Sequence, residues 1–388
     1  MKIAYVFHHD AANPAIQSGR PASLLQEFER QGHEVERIFP LPVPPARTEL
    51  AKKVGYRLLR RQHRNDRNTG YLQALAGQFN VRAAGRAFDL VFSPGSEVVS
   101  HLPPGLPVTY CADATFANLV DYYWDFTGLS EEYIRQGFAQ EKAALSRALL
   151  AVYPSEWAAR AAIEQHEADP ARVAVIPFGA NLGGDNRRAG IMAAIARRPQ
   201  DTIRLLFVGR HWERKGGDIV IATALCLIAH GHRVSVDIVG CDVPTEYRAV
   251  SWIRAHGLLQ QTQPDDMVAL RQLYAEAHFL FVPSRAEAYG LTFTEANAFG
   301  VPSIATNTGG IPAVVRDGHN GLLLPLNAQP SQYADAIVAT FSDPGRYEAM
   351  CHRAFDEFEQ HLNWPTFTRK FVELAQERIA ARSAAPAA

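Results

Sequence analysis

The chain of 388 residues contains only four cysteines, Cys111, Cys226, Cys241 and Cys351, and no two of them form a CxxC pair. That spacing builds neither a disulfide framework nor a zinc site, and it fits a reduced compartment such as the cytoplasm. Uninterrupted apolar runs of about 18 residues, the length a membrane span needs, are missing as well. The opening MKIAYVFHHD carries a single lysine, and its short apolar run breaks at two histidines and an aspartate, so it reads as a first strand and not a signal peptide. Neither sign of charge dominates: 39 Lys and Arg against 40 Asp and Glu leave a formal net charge of −1, which gives no global reason to expect nucleic acid as a partner. The turn after the first apolar run, HHDAANPAIQSG, has no GxGxxG, which argues against a nicotinamide dehydrogenase. No DxD pair of the metal-bridging kind stands in a loop after a strand; Asp265-Asp266 opens a helical pattern and reads as a cap.

What is present is an alternation. Short apolar runs (KIAYVF, DLVFSP, VTYCA, ALLAVYP) are separated by helical patterns, SLLQEFERQG and the stretch from Ser130 to Arg147 among them. The second half repeats this with IRLLFVG, VSVDIVG, HFLFVP and PSIAT, between helices over 218–231, 267–277 and 291–299. Strands alternating with helices predict parallel sheets with crossover helices, hence two doubly wound α/β units. At about 150 residues per domain the length accommodates two or three units. The segment VIPFGANLGGDNRRAG, rich in Pro, Gly, Asn and Asp, is the expected hinge. The boundaries follow: 1–180, 181–363, and a C-terminal helix over 364–388 that packs back on the first unit and ends in a frayed SAAPAA tail.

Ligands of open parallel sheets bind beyond the carboxyl ends of the strands, so the loops there are where chemistry is sought. After HFLFVP comes SRAEAYGLTFTEANAFG, with Glu287 in the loop and Glu295 in the first turns of the next helix. Eight residues at ~100° each would leave the two roughly 80° apart even on one helix, so they reach different parts of an extended ligand and do not form a paired acid and base. A rival reading has Thr292 and Glu295 forming a capping box. Thr308-Gly309-Gly310-Ile311-Pro312 follows PSIAT and opens another helix, where glycine amides can approach a phosphate. LLFVGRHWERKGG leaves its strand at Gly209 and offers Arg210 and Lys215 before a helix near Asp218, a set of cations suited to a diphosphate.

These residues resemble glycosyltransferase family 4, retaining enzymes of the GT-B fold, in which two Rossmann-like units face each other across a cleft. The resemblance is specific in VGRHWERKGG, VDIVG and PSRAEAYGLTFTEANAFGVPSIATNTGGIPAVVRDGHNGLLLP, which carries the E-x7-E pattern. In the first half it rests on strand order, Gly19 at a helix start, YPSEWAARAA and VIPFGAN. It implies that the first unit binds an acceptor and the second a nucleotide-sugar donor. A UDP-sugar is favoured and a GDP-sugar is the other choice; the acceptor is unknown, a glycan, lipid or small metabolite. Carried over, Glu287 binds donor-sugar hydroxyls, Glu295 the ribose hydroxyls, Arg210 and Lys215 the departing diphosphate, and the amides of Tyr289, Gly290 and Leu291 cradle the phosphate or sugar. No cofactor and no metal are expected.

On the acceptor side the candidates are His8 and His9 after the first strand and Gly19 and Arg20 at the next helix start, while Asp113 in VTYCADATF, standing where the family often has a histidine close to the donor sugar, joins Glu287, Arg210 and Lys215 as a catalytic candidate. The basic stretch over 46–67, ARTELAKKVGYRLLRRQHRNDR, reads as a solvated helix or as a peripheral contact with the inner face of an anionic membrane. Other functions compatible with these residues are a nucleotide-sugar epimerase of the same fold and a catalytically silent nucleotide-sugar binding subunit.

Overall fold

The computed structural model describes residues 1–44, 47–182 and 186–384. Parts of the expected hinge, of the basic stretch and of the C-terminal tail therefore lie outside the described residues. Contacts divide the chain into two units, Met1–Ile176 with Phe367–Ala388, and Pro177–Thr366.

The first unit is a six-stranded parallel sheet of β1 (Lys2–Val6), β2 (Glu34–Ile38), β3 (Leu90–Ser93), β4 (Val108–Cys111), β5 (Leu150–Tyr153) and β6 (Val173–Val175). The spatial order is β2-β1-β3-β4-β5-β6. Its helices are α1 (Arg20–Arg30), α2 (Arg47–Leu58), α3 (Thr69–Ala83), the single turn α4 (Phe116–Leu119), α5 (Glu131–Arg147) and α6 (Glu156–His166). The inner strands LVFS, VTYC and LAVY are buried at every residue, as parallel strands covered on both faces must be. Polar side chains start the helices by accepting otherwise orphaned amide protons: Asn68 Oδ1 from Tyr71 at 2.8 Å, Ser130 Oγ from Tyr133 at 3.2 Å, and Ser155 Oγ from Ala158 at 3.3 Å.

The second unit repeats the plan with β7 (Ile203–Val208), β8 (Val234–Val239), β9 (Ile253–Gly257), β10 (Phe279–Val282), β11 (Ser303–Thr306) and β12 (Gly321–Leu324), again all parallel, in the order β12-β11-β10-β7-β8-β9. Its helices are α7 (Arg188–Ala196), the one-turn α8 (Trp212–Lys215), α9 (Gly217–Ala229), α10 (Pro264–Glu276), α11 (Leu291–Ala298), α12 (Pro330–Phe341) and α13 (Pro344–Gln360). The last helix, α14 (Trp364–Ala384), counts with the first unit from Phe367 onward, where Phe371 meets Phe28 and Phe92 edge-on at centroid distances of 5.8 and 5.2 Å.

Both sheets reverse direction once. In the first, β2 lies on one side of β1 and β3 on the other; in the second, β8 lies on one side of β7 and β10 on the other. At such a reversal neighbouring loops diverge to opposite faces and leave a crevice at the carboxyl edge, which is where a ligand is accommodated.

Candidate functional site

In the second sheet β10 pairs with β7 on one side and β11 on the other, so the three loops singled out in the sequence emerge side by side. The loop after β7 turns through α8, and Gly216, at φ +78°, caps it. Lys215 at its end is buried, and its ammonium donates to Glu287 Oε2 across the β7/β10 reversal. The path of that lysine depends on Gly209: a β-carbon there would lie 2.8 Å from Lys215 Cγ. Arg214 Nη1 sits 3.5 Å from the same carboxylate oxygen and donates to the Ala286 carbonyl at 2.8 Å. The Arg285 amide donates to the Arg214 carbonyl at 2.8 Å, and its guanidinium binds both Asp218 oxygens at 2.9 and 2.7 Å. Two loops distant in sequence are thus laced together.

Burial alone would raise the Glu287 pKa; Lys215 and Arg214 outweigh it, with help from Ser284 Oγ at 3.4 Å, and hold the carboxyl below its ordinary value. Glu287 is therefore an anion at neutral pH. Arg210, expected to work with Lys215, is exposed two residues beyond the strand, while Arg214 stands at the carboxylate. The sequence offered both arginines; only the one-turn helix α8 decides which of them approaches Glu287.

Glu295 occupies the second turn of α11. This helix begins at Leu291 with Gly290, at φ +89°, as its N-cap and without a capping side chain. The capping-box alternative for Glu295 is thereby overturned: Thr292 lies inside the helix, and its hydroxyl is 2.8 Å from Tyr274 Oη. Tyr274 instead donates to Glu295 Oε2 at 3.1 Å. Burial pushes Glu295 up to about 7, against the pull of Tyr274 and Lys215. Tyr274, on α10, carried no signal in the sequence beyond a helical pattern.

Tyr289 turns its ring inward, donating from Oη to the Phe178 carbonyl at 3.0 Å, so its side chain is structural and only its backbone faces the loop. The loop after β11 differs from expectation. Residues Ile311–Ala313 form a three-residue 3-10 turn, too short for a helix terminus, and the Gly310 amide donates to the Glu287 carbonyl at 3.1 Å. Gly310 thus braces Glu287 and does not offer a free N–H; Gly309, at φ +55°, supplies the turn.

In the first unit His8 leaves β1 partly buried, with Nδ1 buried and unpaired among the described residues, and burial lowers its pKa despite the nearby Glu97. His9 and Asp113 are exposed. Gly19, at φ +84°, is the N-cap of α1. Arg20 is buried and bound, donating to the Pro94 carbonyl at 3.0 Å and the Cys111 carbonyl at 3.4 Å, so it ties the loop after β3 and the end of β4 to α1. Glu97, after β3, faces His8 across the first reversal and pairs with Arg67 at 3.1 Å. Arg67 also lies 3.6 Å from Glu141, whose carboxyl burial pushes up to about 7. Neither Arg67 nor Glu97 stands in a recognisable sequence motif. Among the described residues no group of three or more His, Cys, Asp or Glu side chains is placed to hold a metal ion, and no helix is long and apolar enough to cross a membrane.

Two parallel Rossmann-like units of this kind define the GT-B fold, and solved structures share it along nearly the whole chain. Sucrose-phosphate synthase from Thermosynechococcus elongatus superposes with a TM-score of 0.69 at 19% identity, covering 98% of this chain and 100% of its own. HepE from Anabaena, solved with UDP and glucose, gives 0.61 at 17% identity, covering 97% and 99%. Residues 192–356, most of the second unit, match the family model of glycosyl transferases group 1. D-inositol 3-phosphate glycosyltransferase from Geodermatophilus obscurus is 30% identical over 237 residues, 58% of this chain and 52% of that protein. The enzyme of that name from Actinosynnema mirum is 33% identical over 204 residues, 49% of this chain and 48% of its own. The chain spans about half the length of these relatives.

Proposed function

We propose that the protein is a retaining glycosyltransferase of family 4 that passes a sugar from a nucleoside diphosphate sugar, a UDP-sugar foremost, to an acceptor on the first unit. The observation that carries this reading is the buried Lys215–Glu287 pair at the β7/β10 reversal, inside the segment matching glycosyl transferases group 1. Glu295 beside Tyr274 suits the ribose hydroxyls, and the open first turn of α11 at Gly290 and Leu291 suits a phosphate oxygen. The structure of HepE with UDP and glucose supports the choice of nucleotide.

Breaking the bond from the anomeric carbon to the phosphate oxygen puts negative charge on the leaving diphosphate. Donors fixed in advance around that oxygen lower the barrier, each charge-assisted hydrogen bond contributing about 1.5 to 3 kcal/mol. Lys215, with Arg214 beside it at Glu287, supplies such donors, and the exposed Arg210 after β7 is the further cation this metal-independent reading calls on. Glu287, ionised and held by Lys215, can accept from a sugar hydroxyl while orienting the ammonium. Reaction on the leaving-group face follows from the family resemblance. Four free cysteines support a cytoplasmic site of action, and the exposed Leu50, Val54 and Leu58 among the cations of α2 support a peripheral contact with an anionic membrane.

Thermal unfolding against UDP-, GDP- and dTDP-sugars tests the donor: the cognate sugar nucleotide raises Tm. Glu287→Ala is expected to abolish transfer in a chain that still folds, at reduced stability because Lys215 loses its partner. Near-normal turnover in that variant would remove the assignment, and isomerised sugar from donor alone would replace transfer with epimerisation.

A further inference from the structure

A cleft of about 670 Å³ lies within the first unit, lined among others by Glu49, Lys53, Arg57, Arg61, His63 and Asp66. Its wall is anchored. Lys52 binds Glu132 at 2.5 Å, Tyr56 Oη donates to Glu132 at 3.1 Å, His63 Nδ1 lies 2.8 Å from Ser130 Oγ, and the Tyr56 and His63 rings stack at 4.7 Å. These contacts fix α2 and the segment after it against α5, so the cleft is built into the unit.

Its charges differ in how they are committed. Glu49 is engaged by Lys52 and by His63 Nε2, each at 3.4 Å. The side chains of Lys53, Arg57 and Arg61 are exposed, and none makes a hydrogen bond or ion pair among the described residues. Lys53 and Arg57 stand four residues apart on α2 and so share a face, with Arg61 just beyond its end. Three cations converging on one cleft without a carboxylate partner repel one another, and a phosphate, with its several acceptor oxygens, relieves that repulsion. On the other wall Asp66 Oδ1 is buried, with the Tyr133 hydroxyl as the neighbouring donor, and Asp66 acts electrostatically on His8 at the end of β1. A carboxylate has about four lone-pair sites, so Asp66 can still accept from a ligand hydroxyl.

We propose that this cleft holds a hydroxyl-bearing phosphate ester, with Lys53, Arg57 and Arg61 on the phosphate and Asp66 accepting from a hydroxyl. The proposal rests on the reading of the first unit as the acceptor side, and it names the acceptor chemistry as phosphorylated. The phosphate belongs either to a soluble sugar phosphate or to a lipid headgroup.

Calorimetric titration of the full chain with glucose 6-phosphate, glucose and inorganic phosphate, beside sedimentation with phosphatidylglycerol and phosphatidylcholine vesicles, tests it. Glucose 6-phosphate is expected to bind and glucose not. Arg57→Ala/Arg61→Ala, both exposed positions, is expected to weaken that binding about tenfold or more, through two lost charge-assisted contacts. Asp66→Asn should weaken glucose 6-phosphate while leaving inorganic phosphate unchanged. Sedimentation with phosphatidylglycerol that is lost in the double variant, without glucose 6-phosphate binding, assigns the phosphate to a lipid headgroup. Binding of glucose as tight as its phosphate, or a double variant indistinguishable from the parent in both arms, overturns the proposal. UDP titrated into the same proteins separates the two readings: loss of UDP binding in the parent chain defeats the donor assignment, whereas an unchanged UDP affinity in the double variant isolates the cleft.

Discussion

Lys215 and Glu287, 72 residues apart in the chain, are joined by a buried ion pair where the order of strands in the second sheet reverses. Both side chains are about nine-tenths buried, at 11% and 10% exposure, so neither charge is well screened by water. Removing one partner of such a pair costs about 3 to 5 kcal/mol, whereas replacing both by apolar groups of similar size is often neutral. Lys215→Ala is therefore expected to destabilise the protein by about 3 kcal/mol, the low end, because Arg214 still faces Glu287. Lys215→Met/Glu287→Leu is expected to approach parental stability in urea unfolding while binding no sugar nucleotide. A double variant as unstable as the single one would show that the pair is not a local unit.

The carboxyl of Glu295 titrates near 7 in the folded chain and near 4.5 when unfolded. The folded form therefore holds its proton more tightly, so this group's contribution to stability is present below pH 4.5 and is lost as pH rises towards and through 7. Glu295→Gln is expected to gain stability relative to the parent between pH 5 and pH 8, by about 3 kcal/mol at most. Glu141 in the first unit titrates in the same range, so the difference between parent and variant at each pH, and not the parent curve alone, isolates Glu295. A constant difference in Tm across that range would contradict the assignment.

Gly290 caps α11 at φ +89°, and a β-carbon there would lie 2.6 Å from Phe293 Cδ2. Gly290→Ala is expected to cost about 1 to 3 kcal/mol in denaturant unfolding and to weaken nucleotide binding by displacing the first helical amides. Unaltered stability would mean that the turn relaxes freely.

Arg67 separates two acids, Glu97 and Glu141, inside the first unit. Arg67→Ala leaves both without their cation and is expected to cost about 3 to 5 kcal/mol. Adding Glu141→Gln should recover part of that loss, since one of the stranded charges is then gone. Additive losses in the double variant would argue that the two side chains act independently.

The centre of each sheet could be read from the sequence, and its margins could not. The eight strands foreseen from apolar runs are all inner strands, while β2, β6, β9 and β12, which were not foreseen, are the four edges. An inner parallel strand is covered on both faces and pairs on both sides, so it becomes a continuous apolar run. EVERI and IRAHG pair on one side only and keep exposed charged or polar residues. The same contrast holds at the site. Glu287 and Lys215 stand in the segments directly after inner strands, and Glu295 in the helix that follows one of them, where residue type and spacing mark them as candidates. Arg214 and Tyr274 required the handedness of a single turn and the packing of a neighbouring helix, and Arg67 with Glu97 required a contact across 30 residues. Long-range pairing of that sort leaves no local pattern.

The Gly310 amide and the Lys215 ammonium hold Glu287 from two sides before any ligand arrives. The resting site is consequently self-neutralised, and an incoming anion must compete with a carboxylate already in position. Under the proposed donor reading, the diphosphate shares Lys215 with that carboxylate and meets Arg214 beside it, so ligand and carboxylate divide one set of cations.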